Sequence, residues 1–303
     1  MDKLAAHLYR LGDADHPCFL VTGADRNVLI DAGPAFMAPT CRQQIQQWMG
    51  NGRAPDWLFL THFHYDHTGG GPYLLRHFPM MKTAGSAKLG RLLTRGKIVA
   101  SVTDFNRRLI TERLPENDLV AEDIDYSALS IDRVLEDGEG IDLGGGVTIE
   151  VAAAPGHTAD NLCFFLPHAG AALTAEAVGI IPGDEFWVAP QFLSSYDDYL
   201  STIDRIRQRR PKIIVLGHHR VVEEKDIDRF FEVSLADCEE FRKMVEQFLQ
   251  EEQMVEENVF HRVRERLVHT GRRGRQPEEA FRLNLQVQVK VVARQLRMEK
   301  ENS

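Results

Sequence analysis

Apolar residues between positions 5 and 31 form short runs separated by turn residues, and this pattern predicts β-strands. Residues 40–49 read as a helix. The apolar residues of 56–61 predict a buried strand, and residues 72–77, after a glycine-rich turn, predict a short helix. Strands and short helices therefore both occur in the first part of the chain.

A longer stretch with helical periodicity follows at residues 86–113. We interpret it as part of a helical insert that spans about residues 86–130. Glycine-rich turns then bracket short strands further along the chain. Ser195 and Asp198 have the spacing of a helix cap, which predicts a helix that ends near residue 208.

Helical spacing dominates again after residue 222, so we predict two parts, residues 1–222 and a helical C-terminal extension at 223–303. Seven apolar residues of the extension form a stripe that we expect to pack on the first part, with an oligomer surface or an active-site cap as the alternative. They are Phe230, Phe231, Phe241, Met244, Val245, Phe248 and Leu249. Residues 277–298 alternate like a strand, but their flanking charges favour a helix, which we predict.

Composition narrows the class of protein. The chain of 303 residues is 43% hydrophobic, which is enough for a sizeable core. Its net charge of −9 gives no general attraction to nucleic acids or anionic membranes, and no apolar stretch approaches the roughly 18 residues of a membrane span. The four cysteines are scattered and no signal peptide is visible, so we expect reduced thiols in a cytoplasmic protein.

Four strong metal ligands lie within six positions, directly after the predicted strand at 56–61. They are His62, His64, Asp66 and His67. Imidazole nitrogens and a carboxylate suit zinc, and they also suit iron or manganese. Such a cluster has no role in fold stability, so it indicates a metal or catalytic site.

This segment has the HxHxDH form of the metallo-β-lactamase superfamily, and the chain resembles its members from about residue 5 to residue 222. Two further motifs of the family are present: Pro155-Gly156-His157-Thr158 follows one apolar run, and Gly217-His218 follows another. At the place of the family's Gly-Asp pair, however, the chain has Ala175-Glu176.

The resemblance implies an α+β fold, a four-layer αβ/βα sandwich with the metal site at one edge, here with the helical insert and the C-terminal extension added. It assigns His62, His64 and His157 to one divalent metal, and Asp66, His67 and His218 to a second. Glu176 would bridge the metals, bind one of them or leave the second site weak, because its side chain is one methylene longer than Asp. His219 is the alternative to His218, and Asp31 is either a support for the metal loop or a plain turn residue.

The chemistry implied by the resemblance is hydrolysis, in which metal-bound hydroxide attacks a carbonyl carbon. We assign catalytic roles to Asp66 and to Tyr65, whose hydroxyl could donate to a developing oxyanion. We also assign candidate substrate contacts. An apolar wall would consist of Phe186, Trp187 and Phe192, and Arg220 would pair with a substrate carboxylate.

We predict a metallohydrolase of a small thioester, ester or lactone, similar to glyoxalase II and related thioesterases. The alternatives are a mono-iron persulfide dioxygenase and a regulatory protein on the same fold, while the acidic charge disfavours a nuclease. A loop with six arginines from Arg262 to Arg275 motivates the regulatory alternative, although such loops are usually solvated. A homodimer through the C-terminal helices is possible.

Overall fold

The computed structural model describes residues 2–50, 53–114, 119–274 and 277–301. The chain forms two compact units. The first consists of Met1–Ala153 with Asp160–Leu173, and the second consists of Ala154–Ala159 with Thr174–Ser303. The predicted boundary at residue 222 does not coincide with any limit of these units. The division into residues 1–222 and 223–303 stays a prediction about domain organisation.

The first sheet contains seven strands in chain order, from β1 to β7. Its strands are β1 Asp2–Ala5, β2 Leu8–Gly12, β3 Pro17–Thr22, β4 Asn27–Ile30, β5 Trp57–Phe59, β6 Lys82–Gly85 and β7 Arg133–Val134. The first four strands pair antiparallel, as expected for short runs joined by turns. From β4 to β7 the pairing is parallel.

This change to parallel pairing positions the metal-ligand segment. Ile30, the last residue of β4, lies opposite Phe59, the last residue of β5. The carboxyl ends of parallel strands share one edge of a sheet, so Asp31 and the segment that begins at Thr61 emerge side by side. The backbone amide of Asp31 donates to the carbonyl of Phe59 at 2.8 Å, which continues the pairing by one residue.

Five helices belong to the first unit: α1 Ala38–Met49, α2 Tyr65–Thr68, α3 Gly71–His77, α4 Ala87–Leu93 and α5 Gly96–Arg113. Its core packs apolar side chains of α1 against the sheet, with Ile45, Leu20 and Leu58 all fully buried. The predicted insert is helical over α4 and α5, and two short 3₁₀ turns follow within it. Residues 115–118 of the insert lie outside the described residues.

The insert packs directly on the metal-ligand segment. The ring of Phe105 on α5 lies 4.5 Å from that of Tyr65, and the buried ring of Tyr126 lies 6.2 Å from that of Phe63. A Cβ atom at Gly69 would come within 2.9 Å of Asn106 Oδ1. Gly69 therefore allows α5 to approach the end of α2.

The second sheet has six strands in the order β13-β12-β11-β10-β9-β8. They are β8 Gly140–Asp142, β9 Thr148–Ala153, β10 Leu162–Leu166, β11 Ala171–Ala175, β12 Ile213–Leu216 and β13 Val221–Glu223. Of these strands, β8, β9 and β10 belong to the first unit, and β12 and β13 belong to the second. The helices of the second unit are α6 Tyr196–Gln208, α7 Ile227–Glu251, α8 Glu256–His269 and α9 Glu278–Glu301. Two sheets with helices and a helical C-terminal extension confirm the predicted α+β class.

Helix α9 confirms the helix that was predicted at 277–298. Its buried residues include Phe281, Leu285 and Val292, which recur at helical spacing, whereas Leu283 and Val287 are exposed. Two of the six alternating apolar positions are therefore exposed, and the buried residues follow helical rather than strand spacing. In the stripe on α7, six of the seven predicted residues are buried and Met244 is half-buried, which confirms that the stripe packs in the core.

The arginine-rich loop is largely neutralised inside its own unit. Four of its arginines form ion pairs: Arg262 with Glu251, Arg264 and Arg273 with Glu278, and Arg272 with Glu240. Arg275 lies outside the described residues. Arg262, Arg264 and Arg266 lie on α8 rather than in a loop, which corrects that part of the prediction. Exposed ion pairs such as these contribute little stability each. A docking role for this loop stays a prediction.

All four cysteines are buried and free, in agreement with packed, reduced thiols. Two of them are neighbours: Cys18 Sγ lies 3.5 Å from Cys41 Sγ, and this contact, together with burial, raises the pKa of Cys18 well above its ordinary value. Among the residues that the structure describes, no helix combines the length and the apolar composition that membrane crossing demands.

The cap of α6 gives a first testable prediction. The Ser195 hydroxyl accepts a hydrogen bond from the backbone amide of Asp198 at 3.2 Å, as predicted from the sequence. Replacing Ser195 by Ala is expected to lower the free energy of unfolding by about 1 kcal/mol, measured by urea denaturation. Ser201→Ala, at an exposed position in the same helix, is the control and should change it by under about 0.5 kcal/mol. Equal effects of the two substitutions would contradict the cap.

Candidate metal centre

In the first unit, the Asp31 carboxylate organises the ligand segment. Asp31 is 2% exposed and adopts a positive φ of 61°. Its carboxylate accepts hydrogen bonds from the Thr61 backbone amide at 2.8 Å and from the Thr61 hydroxyl, and it lies 2.8 Å from His67 Nδ1. The sequence left two roles open for Asp31, and these contacts identify it as a support of the metal loop.

The same network orients His62. The single hydroxyl proton of Thr61 is donated to Asp31, so the Thr61 oxygen accepts from His62 Nδ1 at a distance of 3.0 Å. His62 Nε2 then faces His64 Nδ1 at 3.0 Å. Two imidazole nitrogens that converge in this way are suited to share a cation.

In the second unit, the Pro-Gly-His-Thr turn is held against the start of α6. The Gly156 carbonyl accepts hydrogen bonds from the backbone amides of Leu193 and Ser194. Gly156 has a φ of 129°, and a Cβ atom there would lie 2.3 Å from the Cα atom of Tyr199, so only glycine fits. The turn directs His157 inward, where the ring is 1% exposed and Nδ1 donates to the backbone carbonyl of Gln191.

Glu176 follows β11 and is 4% exposed. Its Oε1 lies 2.7 Å from His218 Nε2, and its Oε2 lies 3.8 Å from His157 Nε2. A Cβ atom on Gly217 would approach Glu176 Oε1 to 2.7 Å, so the glycine before His218 leaves space for the longer carboxylate. The carboxylate thus lies near two of the predicted ligand histidines.

Tyr199 closes the loop that connects Glu176 to Gln191. Its hydroxyl accepts from the Gln191 backbone amide at 3.2 Å and donates to the Glu176 carbonyl at 3.2 Å. Tyr199 is fully buried, and burial raises its pKa well above the ordinary value, so the hydroxyl remains a donor at neutral pH. The sequence analysis did not identify Tyr199 or Gln191, since neither belongs to a ligand motif.

Two groups of the seven predicted ligands offer donors that could each hold a metal ion. His62, His64 and His157 form one group, and Asp66, His67, Glu176 and His218 form the other. His219, the alternative to His218, belongs to neither group.

These side chains fit divalent metals by their donor chemistry. Three imidazoles form one group, and two imidazoles with two carboxylates form the other, which are donor sets typical of zinc, iron and manganese sites. Three of the histidines also hydrogen-bond a protein oxygen through Nδ1. His62 bonds the Thr61 hydroxyl, His67 the Asp31 carboxylate and His157 the Gln191 carbonyl. Metal-binding histidines in proteins are usually oriented in this way.

The predicted substrate contacts have varied surroundings. Phe192 is fully buried and packs against the rings of Tyr196 and Tyr199, which makes it a core residue of the second unit. Arg220 donates to the backbone carbonyls of Gly183 and Asp184, and so braces a loop. Phe186 and Trp187 are half-buried, and each ring lies beneath a guanidinium group.

The chain is similar to curated proteins over part of its length. An atrochrysone carboxyl ACP thioesterase of Aspergillus fumigatus is 25% identical over 221 residues, which are 69% of this chain and 54% of that relative. A hydroxyacylglutathione hydrolase of Salmonella typhi is 41% identical over 70 residues, which are 23% of this chain and 25% of that relative. The chain therefore spans about half or less of the length of these relatives.

Solved structures share the fold. An archaeal metallo-β-lactamase superfamily protein of Sulfolobus tokodaii has a TM-score of 0.56 at 19% identity, over 74% of this chain and 84% of that chain. A metallo-β-lactamase of Legionella gormanii has a TM-score of 0.57 at 18% identity, over 80% and 95%. The sequence profile of the metallo-β-lactamase superfamily matches residues 11–218, which is more than half of the chain. This protein therefore belongs to the metallo-β-lactamase superfamily.

Proposed function

We propose that this protein is a metallohydrolase that cleaves a small thioester or ester with two divalent metal ions. The observation that carries the proposal is the orientation of His62, His67 and His157, each of which uses one ring nitrogen for a protein oxygen. Each ring then presents its second nitrogen as the ligand atom, which is the arrangement that a resident metal requires.

The proposed ligands divide as the two groups indicate. His62, His64 and His157 would hold one metal, and Asp66, His67 and His218 would hold the other. Glu176 would bridge them, because its two oxygens lie 2.7 Å from His218 Nε2 and 3.8 Å from His157 Nε2. The extra methylene of Glu, relative to the Asp of the family, is accommodated by Gly217.

A divalent metal supplies two things when it is bound: it lowers the pKa of water towards neutrality, and it polarises a carbonyl group. Thr61, Asp31 and Gln191 orient the histidines that would bind the metals. Tyr65 follows His64 directly, and its half-buried ring is steadied by the Phe105 ring at 4.5 Å. We assign to the Tyr65 hydroxyl the donation of a hydrogen bond to the oxyanion that develops on the substrate.

A thioester is the favoured substrate for two reasons. One relative is named as a thioesterase and another as a hydroxyacylglutathione hydrolase. The half-buried rings of Phe186 and Trp187 follow Glu176 in the same unit and are proposed to contact an apolar acyl group. Phe192 is left out of this proposal because it is fully buried.

Metal analysis combined with a substrate panel tests the function. For protein purified without added metal, we expect two metals per chain and thioester hydrolysis that a chelator abolishes. Glu176→Gln should lower the metal content towards one per chain and reduce kcat/KM by at least about 100-fold, because the bridging charge is lost. The control, Glu185→Gln, changes an exposed residue of the same loop and should leave both values unchanged.

Two outcomes would contradict this function. One iron per chain with oxygen uptake on glutathione persulfide would identify a dioxygenase. Hydrolysis of phosphodiesters with no hydrolysis of thioesters or esters would identify a nuclease.

Asp31→Asn tests the support of the metal loop. Asn has a single acceptor oxygen, so it cannot accept from both the Thr61 backbone amide and His67 Nδ1, and the negative charge behind the imidazole is lost. Metal affinity is expected to fall about 10- to 100-fold, measured by competition with a fluorescent zinc indicator. Asp204→Asn, at an exposed position on α6, is the control. An unchanged affinity in Asp31→Asn would remove this residue from the site.

Tyr199→Phe tests the closure of the loop from Glu176 to Gln191. The substitution removes two buried hydrogen bonds, so the free energy of unfolding should fall by about 1–3 kcal/mol. Tyr196→Phe is the matched control, because its hydroxyl makes no hydrogen bond among the described residues. Thermal and urea unfolding of both variants would make the comparison, and equal losses would show that the Tyr199 bonds contribute nothing specific.

A further inference from the structure

A groove of about 550 Å³ lies in the second unit, and none of the proposed metal ligands lines it. One wall is a single face of α7, where Phe241, Met244 and Phe248 recur at helical spacing. Leu267 near the end of α8 and Trp187 line the groove as well. The volume falls within the range of small-molecule sites, about 300–1,000 Å³.

The lining offers apolar surface that a ligand can cover. Phe241 and Phe248 are almost fully buried and form the base. Met244, Leu267 and Trp187 are only half-buried, so their side chains remain accessible. Methionine adapts to the shape of an apolar ligand, and tryptophan offers a large apolar contact surface.

Among the charged side chains that line the groove, one basic group remains available to bind a ligand. Both acidic groups of the lining, Asp237 and Glu240, lie near the Arg272 guanidinium, at 3.5 Å and 3.0 Å. Lys243 pairs with Glu239 on its own helix at 2.6 Å. Arg266, by contrast, is exposed and forms no ion pair within the part of the chain that the structure describes.

We propose that this groove binds an amphipathic carboxylate, such as a medium-chain fatty acid. The apolar chain would cover Met244, Leu267 and Trp187, and the carboxylate would pair with Arg266. The groove shares Trp187 with the proposed acyl contacts but contains none of the proposed metal ligands, so carboxylate binding here does not depend on hydrolysis. The Trp187 ring in the wall provides an intrinsic reporter of occupancy.

Titration with dodecanoate below its micelle concentration tests the proposal. Tryptophan emission and calorimetry should show saturable binding of one molecule per chain, with dodecanol and dodecyltrimethylammonium binding more weakly. Replacing Trp187 by Phe should remove the emission change, whereas Trp48→Phe should preserve it.

Two variants locate the carboxylate and the chain. Arg266→Ala should weaken dodecanoate binding about fivefold, the effect of one exposed ion pair, and should leave dodecanol binding unchanged. Leu267→Trp should fill the groove and abolish binding of both. Arg282→Ala, which removes an exposed arginine on α9, is the matched control and should bind dodecanoate like the original protein.

Three results would overturn the proposal. Equal affinity for dodecanoate and dodecanol would exclude recognition of a carboxylate. Full binding in both Arg266→Ala and Leu267→Trp would place the ligand elsewhere, for example on the metals. A dimer in light scattering that persists in dodecanoate, together with the absence of binding, would show that a second copy of the chain covers the groove.

Discussion

The metal-ligand segment depends on one buried carboxylate. Asp31 directly follows β4, where the sheet changes to parallel pairing, and its carboxylate accepts two hydrogen bonds from Thr61 and contacts His67. A buried carboxylate with this many donors is strongly favoured over an unpaired one, so the network is kept intact as a unit. Because the Thr61 hydroxyl donates its hydrogen bond to Asp31, the orientation of His62 follows from the same carboxylate. Two candidate ligands therefore share one support.

Local sequence was sufficient for much of the fold and for most of the candidate site. The HxHxDH segment and the Pro-Gly-His-Thr turn are contiguous, so their ligands could be identified without the structure. The helix at 277–298 was predicted from its flanking charges, against its alternating apolar residues. Exposure of Leu283 and Val287 shows why alternation alone was a poor guide there.

Contacts between residues distant in the chain could not be predicted in the same way. Tyr199 binds Glu176 and Gln191 through one hydroxyl, and no spacing in the sequence marks that relationship. No sequence pattern predicts the packing of Asn106 against Gly69 either, because this contact requires the insert to fold back on the ligand segment. Phe192 was read as a possible substrate contact because of its place in the chain, whereas its burial is a property of the packed unit alone.

The Tyr199 hydroxyl bonds both ends of the loop 176–191 and so holds these two ends, the neck of the loop, close together. Glu176 and Gln191, whose carbonyl accepts from His157, lie at the neck. Asp184 and Glu185 are exposed at the far side of the loop. Extending an exposed loop costs little free energy, because closure entropy grows slowly with length. The far side of the loop can therefore change in length and composition during evolution while the residues at the neck keep their places. A protein built in this way can acquire new substrates without rebuilding its candidate metal centre.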